Sequence, residues 1–171
     1  LAKKYPKPKV KIVPYLGGIQ NFLTDKNFSQ QCFVTSEPLG AQKQGAKVTS
    51  FLVADEGYNP YTTVLITRES ILKAEPETAK AMVAAVRAGW RNYLDKPEKT
   101  NSMMAKLNPS MDLATFKESA DAQKSLIETA ETKTSGLGTM TKARWEELTR
   151  QLVSLGLLKK TAPVESHFVN P

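Results

Sequence analysis

The chain has 171 residues, of which 40% are hydrophobic and 24% charged, a composition typical of a globular protein rather than a disordered one. Its formal net charge is +7, and a proline-broken lysine cluster near its start could neutralise phosphates. No aromatic ladder or reading helix follows the cluster, so we expect a solvated surface segment and no nucleic-acid partner. With one cysteine, Cys32, and one histidine, His167, the sequence excludes an intrachain disulfide and argues against a metal site or a Ser-His-Asp triad. The lysines of the cluster are Lys3, Lys4, Lys7, Lys9 and Lys11.

The first part of the chain, to about residue 67, alternates short apolar runs with helical stretches. The runs are rich in β-branched residues and are bounded by proline and glycine, which predicts strands. A helix is expected after Gly17-Gly18 and another from residue 39 to residue 44, before Gly45. Strands that alternate with helices predict an α/β fold with a mixed sheet. The predicted strands are residues 10–13, 32–35, 48–54 and 62–67.

From residue 70 onward the apolar residues recur at helical spacing. The clearest helix runs from Pro76 to about residue 94, because proline suits the first turn and an apolar stripe follows it. A shorter helical segment holds residues 103–107, and a further helix is expected over residues 112–128. Thr141 is the predicted N-cap of the last helix, and Gly156 is its predicted end. The mixed sheet should therefore be followed by a helical C-terminal region.

The turn between the last two predicted strands carries Tyr58, Asn59 and Tyr61. Tyrosine offers a flat face and a hydroxyl, and asparagine offers both a donor and an acceptor, which suits a small-molecule pocket. A plain surface turn would also use asparagine and proline. Gly17-Gly18, before a helix, could present free backbone N–H groups to an oxygen of a ligand, or could be a simple tight turn.

Carboxylates fall near predicted strand ends at Glu37, Asp55 and Glu56, where open α/β sheets bind ligands. A paired acid/base role is conceivable. No nucleophile accompanies them, so we favour ligand contact or a hinge role over catalysis. Glu37 and its neighbour Ser36 are the predicted partners for polar groups of a ligand.

In their order along the chain these segments resemble the nitrate/sulfonate/taurine and thiamine-pyrimidine class of periplasmic solute-binding proteins. The most specific parts are Ser36-Glu37-Pro38 after an apolar run and the turn at residues 57–61. The resemblance implies a two-lobe type II periplasmic-binding-protein fold in which residues 1–56 end the second lobe. Residues 57–171 would return to the first lobe, and the N-terminal half of the full protein would be absent from this chain. Members commonly have an acidic residue and alanine where this chain has Gln31-Cys32.

The function that the resemblance implies is the solute-binding component of an ABC importer, in the periplasm or lipid-anchored outside the cytoplasm. Its ligand would be a small polar molecule, nitrate/sulfonate/taurine-like or pyrimidine-like, held in a cleft between the lobes. Its partners would be the membrane permease and the N-terminal half of the same protein, with no cofactor, no metal and no catalysis. Two alternatives stay open: a pyrimidine-synthesis-like enzyme of the same fold, and a ligand-sensing regulatory domain.

Overall fold

A computed structural model describes residues 10–171, and within them the regular structure is entirely helical. Helices cover 55% of these residues, and no strand forms among them. None of the described helices is both long and apolar enough to cross a bilayer. The α-helices are α1 (Gln20–Thr24), α2 (Glu37–Lys43), α3 (Glu69–Ala74), α4 (Pro76–Asp95), α5 (Glu98–Leu107), α6 (Leu113–Ile127), α7 (Ala130–Ser135) and α8 (Lys142–Ser154). Single 3-10 turns occur at Val53–Glu56 and Val164–Ser166.

The predicted α/β fold with a mixed sheet, and with it the type II periplasmic-binding fold, is wrong for the described residues. Residues 10–13, 48–52 and 62–67 are irregular, and residues 34–36 form the turn before α2. Apolar side chains in these runs lie in solvent: Ile12 is 91% exposed, Phe51 86% and Ile66 90%. A strand is stable only when a neighbouring strand takes up its backbone hydrogen bonds. The β-branched pattern indicates which segments fit a sheet, but it cannot supply the partner strand.

The six predicted helices are confirmed, although α5 begins five residues before the predicted segment, and α3 and α7 were not predicted as separate helices. Helix α4 begins at Pro76 and runs to Asp95, where proline is harmless because the first-turn N–H groups have no partner within the helix. Thr141 is the N-cap residue of α8. The chain leaves α8 through Gly156 at φ +72°, a left-handed conformation that glycine adopts without steric cost. Helices α1, α2, α5 and α6 also lie where the periodicity places them.

One compact unit comprises residues 10–52 together with Glu98–Gln123. Its most buried side chains include Ala41 of α2 and Phe116 and Ala120 of α6. The ammonium group of Lys43, in the last turn of α2, donates to Asp112 Oδ1 at 3.1 Å and to Thr115 Oγ1 at 2.5 Å. These contacts fix the end of α2 against the start of α6.

A second compact unit comprises Val53–Pro97 together with Lys124–Pro171. Leu94 and Val164 are its buried aliphatic residues among those described. The ring of Trp145, on α8, stacks on Phe168 with centroids 5.7 Å apart and 7° between the planes. Asn170 donates to the Met140 carbonyl at 2.7 Å and accepts from its N–H at 2.9 Å. The C-terminal segment is thereby fixed to the loop that precedes α8.

Two predictions about chain organisation stay predictions. The lobe assignment for residues 1–56 and 57–171 refers to a longer two-lobed protein, which the two compact units do not test. The basic cluster lies outside the described residues except for Lys11, since Lys3, Lys4, Lys7 and Lys9 precede residue 10.

Candidate functional site

A polar cluster in the first unit is centred on Glu37, the first residue of α2. A carboxylate at this position faces the positive end of the helix dipole. Its Oε2 accepts a hydrogen bond from the backbone N–H of Phe33 at 3.0 Å and a short one from the Ser36 hydroxyl. The turn at residues 34–36 folds the chain back so that Phe33 reaches this oxygen, as the hydrogen bond from the Ser36 N–H to the Phe33 carbonyl (3.0 Å) shows. The predicted pair Ser36 and Glu37 is therefore joined directly.

The same contacts determine the charge of Glu37. Partial burial opposes ionisation and is the largest single influence, but hydrogen bonds from Ser36, from the backbone N–H groups of Glu37 and Phe33, and from Tyr15 outweigh it. The pKa of Glu37 is consequently lowered, and the side chain is a carboxylate at neutral pH. The Tyr15 hydroxyl lies 3.5 Å from Glu37 Oε1, a long distance for an O–H···O bond. That oxygen therefore keeps capacity to accept from a ligand.

Burial raises the pKa of the nearby Cys32 thiol, and the charge of Glu37 raises it further. A thiol with a raised pKa is mostly protonated at neutral pH and is a poor nucleophile. The cluster is thus an acceptor site with one fixed negative charge, without an activated sulfur beside it.

Gly17 and Gly18 lie in the same unit, ahead of α1, with φ +80° and +67°. Within the described part of the chain, the carbonyl of Gly18 accepts a hydrogen bond from Gln30 Nε2 at 3.0 Å, and it is the only group of the two glycines with a side-chain partner there. Helix α1 has five residues, so it adds little dipole to the glycine amides. Their role as backbone donors to a ligand stays a prediction.

The turn at residues 58–61 lies in the second unit and is bound to α8 by Arg144. The guanidinium donates from Nε to the Asn59 carbonyl at 2.6 Å and from one terminal nitrogen to Asn59 Oδ1 at 2.8 Å. The same terminal nitrogen reaches the Pro60 carbonyl at 3.2 Å. Both oxygens of Asn59 therefore already have a charged donor, and a ligand that needs them has to compete with Arg144.

The ring and the hydroxyl of Tyr61 are also engaged in contacts with other residues of the chain. Its ring lies under the Arg144 guanidinium, with the guanidinium carbon 4.2 Å from the ring centroid. Its hydroxyl accepts from the Thr141 backbone N–H at 2.8 Å, and its ring lies 6.1 Å from that of Trp145. Tyr58, in contrast, is 43% exposed. Of the predicted contacts in this turn, Tyr61 is half-buried, whereas Tyr58 and Asn59 are both exposed. Asn59 Oδ1 is nevertheless already bound by Arg144.

The seven predicted residues thus form two groups, each within its own compact unit. Gly17, Gly18, Ser36 and Glu37 belong to the first unit, and the turn at residues 58–61 belongs to the second. Two partners were missed by sequence reasoning. Tyr15 follows the predicted strand at residues 10–13 and was given no role there, and Arg144 lies 85 residues from Asn59. No local signal could have paired Arg144 with the turn.

Two surface grooves occur in the second unit. One, of about 420 Å³, is lined by the polar face of α8 and by residues 161–165. The other, of about 600 Å³, is lined by α4, α7 and the loop after α7. None of the seven predicted residues lines either groove. Within residues 10–171, no cluster of His, Cys, Asp and Glu could hold a metal ion.

A protein-family model described as NMT1/THI5 like matches residues 7–100. This range is just over half of the chain and contains all seven predicted site residues as well as Tyr15. Neither a curated protein nor a solved structure matches the chain.

Proposed function

Because this chain belongs to the NMT1/THI5-like family, we propose that it is the solute-binding component of an ABC importer and works outside the cytoplasm. The match confirms the resemblance to the nitrate/sulfonate/taurine and thiamine-pyrimidine class. It is also the observation that carries the proposal. The proposed partner is the membrane permease of the importer, and the proposed action is binding and release of a small polar molecule without chemical change.

The cluster around Glu37 supports a particular class of solute within that family. A carboxylate repels a bare anion, so nitrate is disfavoured beside Glu37. A ligand that presents N–H donors gains a charge-assisted hydrogen bond at Oε1. Among the side-chain donors of residues 10–171, only the long contact from Tyr15 occupies this oxygen. Tyr15 is 57% exposed and offers a flat face for a ring. We therefore propose an aminopyrimidine-like solute, or the ammonium end of a taurine-like one.

The proposal is tested by calorimetric titration of the full-length protein with an aminopyrimidine, with taurine and with nitrate. Glu37→Gln should weaken binding of the N–H-bearing solute by roughly tenfold or more, because a hydrogen bond to a charged group is lost. Glu98→Gln is the matched control, since Glu98 is also the first residue of its helix, α5, but is exposed. It should leave the affinity unchanged.

Equal affinities of Glu37→Gln and the unaltered protein would remove Glu37 from the ligand site. Tight binding of nitrate together with no binding of the N–H-bearing solutes would contradict the proposed ligand class. Mass spectrometry of ligand recovered after denaturation separates transport from catalysis, because a receptor returns the solute unchanged. A ligand consumed or converted during incubation would favour the enzyme alternative instead.

A further inference from the structure

The groove of about 600 Å³ in the second unit is lined by both small and charged residues. Ala84 and Ala88 lie one turn apart on α4, and Gly136 follows α7. Small side chains here leave the neighbouring long ones accessible to a ligand of a few atoms. The charged residues that line the groove are Arg87, Arg91, Glu128 and Lys133.

Arg91 is neutralised by acidic partners. It donates to both oxygens of Asp95 at 2.6 and 2.9 Å, and to Glu128 Oε1 at 2.6 Å. Lys124 also approaches Glu128, at 3.9 Å. Glu128 is the one carboxylate among the described residues that line the groove. Because it is already paired, it does not offset the other cations.

Arg87 and Lys133 are the two cations of the groove lining that have no carboxylate partner among residues 10–171. Arg87 is half-buried, and its Nε donates to the Leu137 carbonyl at 2.7 Å. This bond fixes the plane of the guanidinium, while its terminal nitrogens make no hydrogen bond within residues 10–171. Across the same residues, no carboxylate lies within ion-pair distance of Lys133. A positioned guanidinium fork and a free ammonium thus line one small groove.

From this arrangement we propose that the groove binds a phosphate-sized oxyanion. The terminal nitrogens of Arg87 match two oxygens of such an anion, and Lys133 supplies a second, mobile charge. The groove is too small for a folded partner but admits a free anion or the anionic group of a larger molecule. This site is independent of Glu37 and goes beyond the proposed transport function.

The test is titration of the full-length protein with inorganic phosphate and, separately, with methyl phosphate at constant ionic strength. Binding is followed by calorimetry and by the NMR resonances of the Arg87 Nε–H and the Gly136 amide. Arg87→Gln should weaken binding roughly tenfold or more, because a charged donor pair is lost. Lys133→Gln should weaken it several-fold. Lys80→Gln is the control. It removes one positive charge from α4, the helix of Arg87, but at a position outside the groove, where Lys80 pairs with Glu77 at 2.8 Å.

Equal affinity for the two probes indicates that the site takes an anionic group on a larger molecule, whereas preference for phosphate indicates a free anion. If Arg87→Gln fails to fold, the test rests on whether Lys133→Gln lowers the affinity for phosphate more than Lys80→Gln does. Absence of saturable binding, or an equal loss in Lys133→Gln and Lys80→Gln, would overturn the proposal, since diffuse surface charge would then explain any attraction.

Discussion

Arg144→Met isolates the contact that joins the turn at residues 58–61 to α8. Methionine keeps most of the aliphatic stem and a similar helix propensity, while three hydrogen bonds to Asn59 and Pro60 and the contact with the Tyr61 ring are lost. These bonds are largely exposed, so each contributes about 0.5 kcal/mol, at the low end of the usual range. A cation–π contact near the surface adds about 0.5 kcal/mol. The free energy of unfolding should therefore fall by about 2 kcal/mol, which lowers the melting temperature by about 4–8 °C.

Urea unfolding followed by far-UV circular dichroism measures this change, with Arg150→Met as the control. Arg150 lies on the same helix but pairs with Glu147, within α8 itself, so its loss should cost less than that of Arg144. Combining Arg144→Met with Asn59→Ala should destabilise by less than the two single changes added, because they remove one shared bond. Additive effects, or equal losses for the two arginines, would refute this assignment. Reduced solute affinity in Asn59→Ala without reduced stability would instead support Asn59 as a ligand contact.

Trp145→Phe should change the free energy of unfolding by no more than about 1 kcal/mol, because the lost ring area is offset by removal of a buried indole N–H that has no hydrogen-bond partner among residues 10–171. Trp145→Ala, which also loses the stack on Phe168, should cost about 3 kcal/mol, and similar losses in both variants would show that the N–H is satisfied. For Asp112, hydrogen bonds from the Thr115 backbone N–H and hydroxyl, with Lys43 adding to them, lower the pKa from 3.8 to about 2. A depressed pKa stabilises the fold above the unfolded-state value, and this stabilisation is lost as the pH falls from about 4 to 2. Urea midpoints measured as a function of pH should therefore be higher for the unaltered protein than for Asp112→Asn at neutral pH, and this difference should shrink in the same pH window. A difference in midpoint that does not change with pH would contradict the role given to Asp112.

The amino-acid sequence by itself determined six of the eight described α-helices, all except the short α3 and α7. The stripe from Met82 to Leu94 repeats at 3.6 residues, and Pro76 and Thr141 indicate where α4 and α8 begin. These signals are local, because a helix forms its hydrogen bonds four residues apart and its caps lie within one turn. The contacts of Glu37 with Ser36 and Phe33 are local for the same reason, since they span at most four residues, whereas its contact with Tyr15 spans 22 residues and left no local signal.

Only the tertiary structure decided whether the apolar runs form strands and which residues contact the turn at residues 58–61. Residues 48–54 and 62–67 have the composition of strands, but a strand needs backbone partners from elsewhere in the chain, and composition does not specify them. Asn59 and Tyr61 were predicted to contact a ligand because nothing in the sequence pairs them with Arg144. This arginine is distant along the chain, and the polar face of α8 does not indicate which residue it binds. Contacts between residues far apart along the chain depend on how the helices pack, and that packing is what the sequence pattern leaves undetermined.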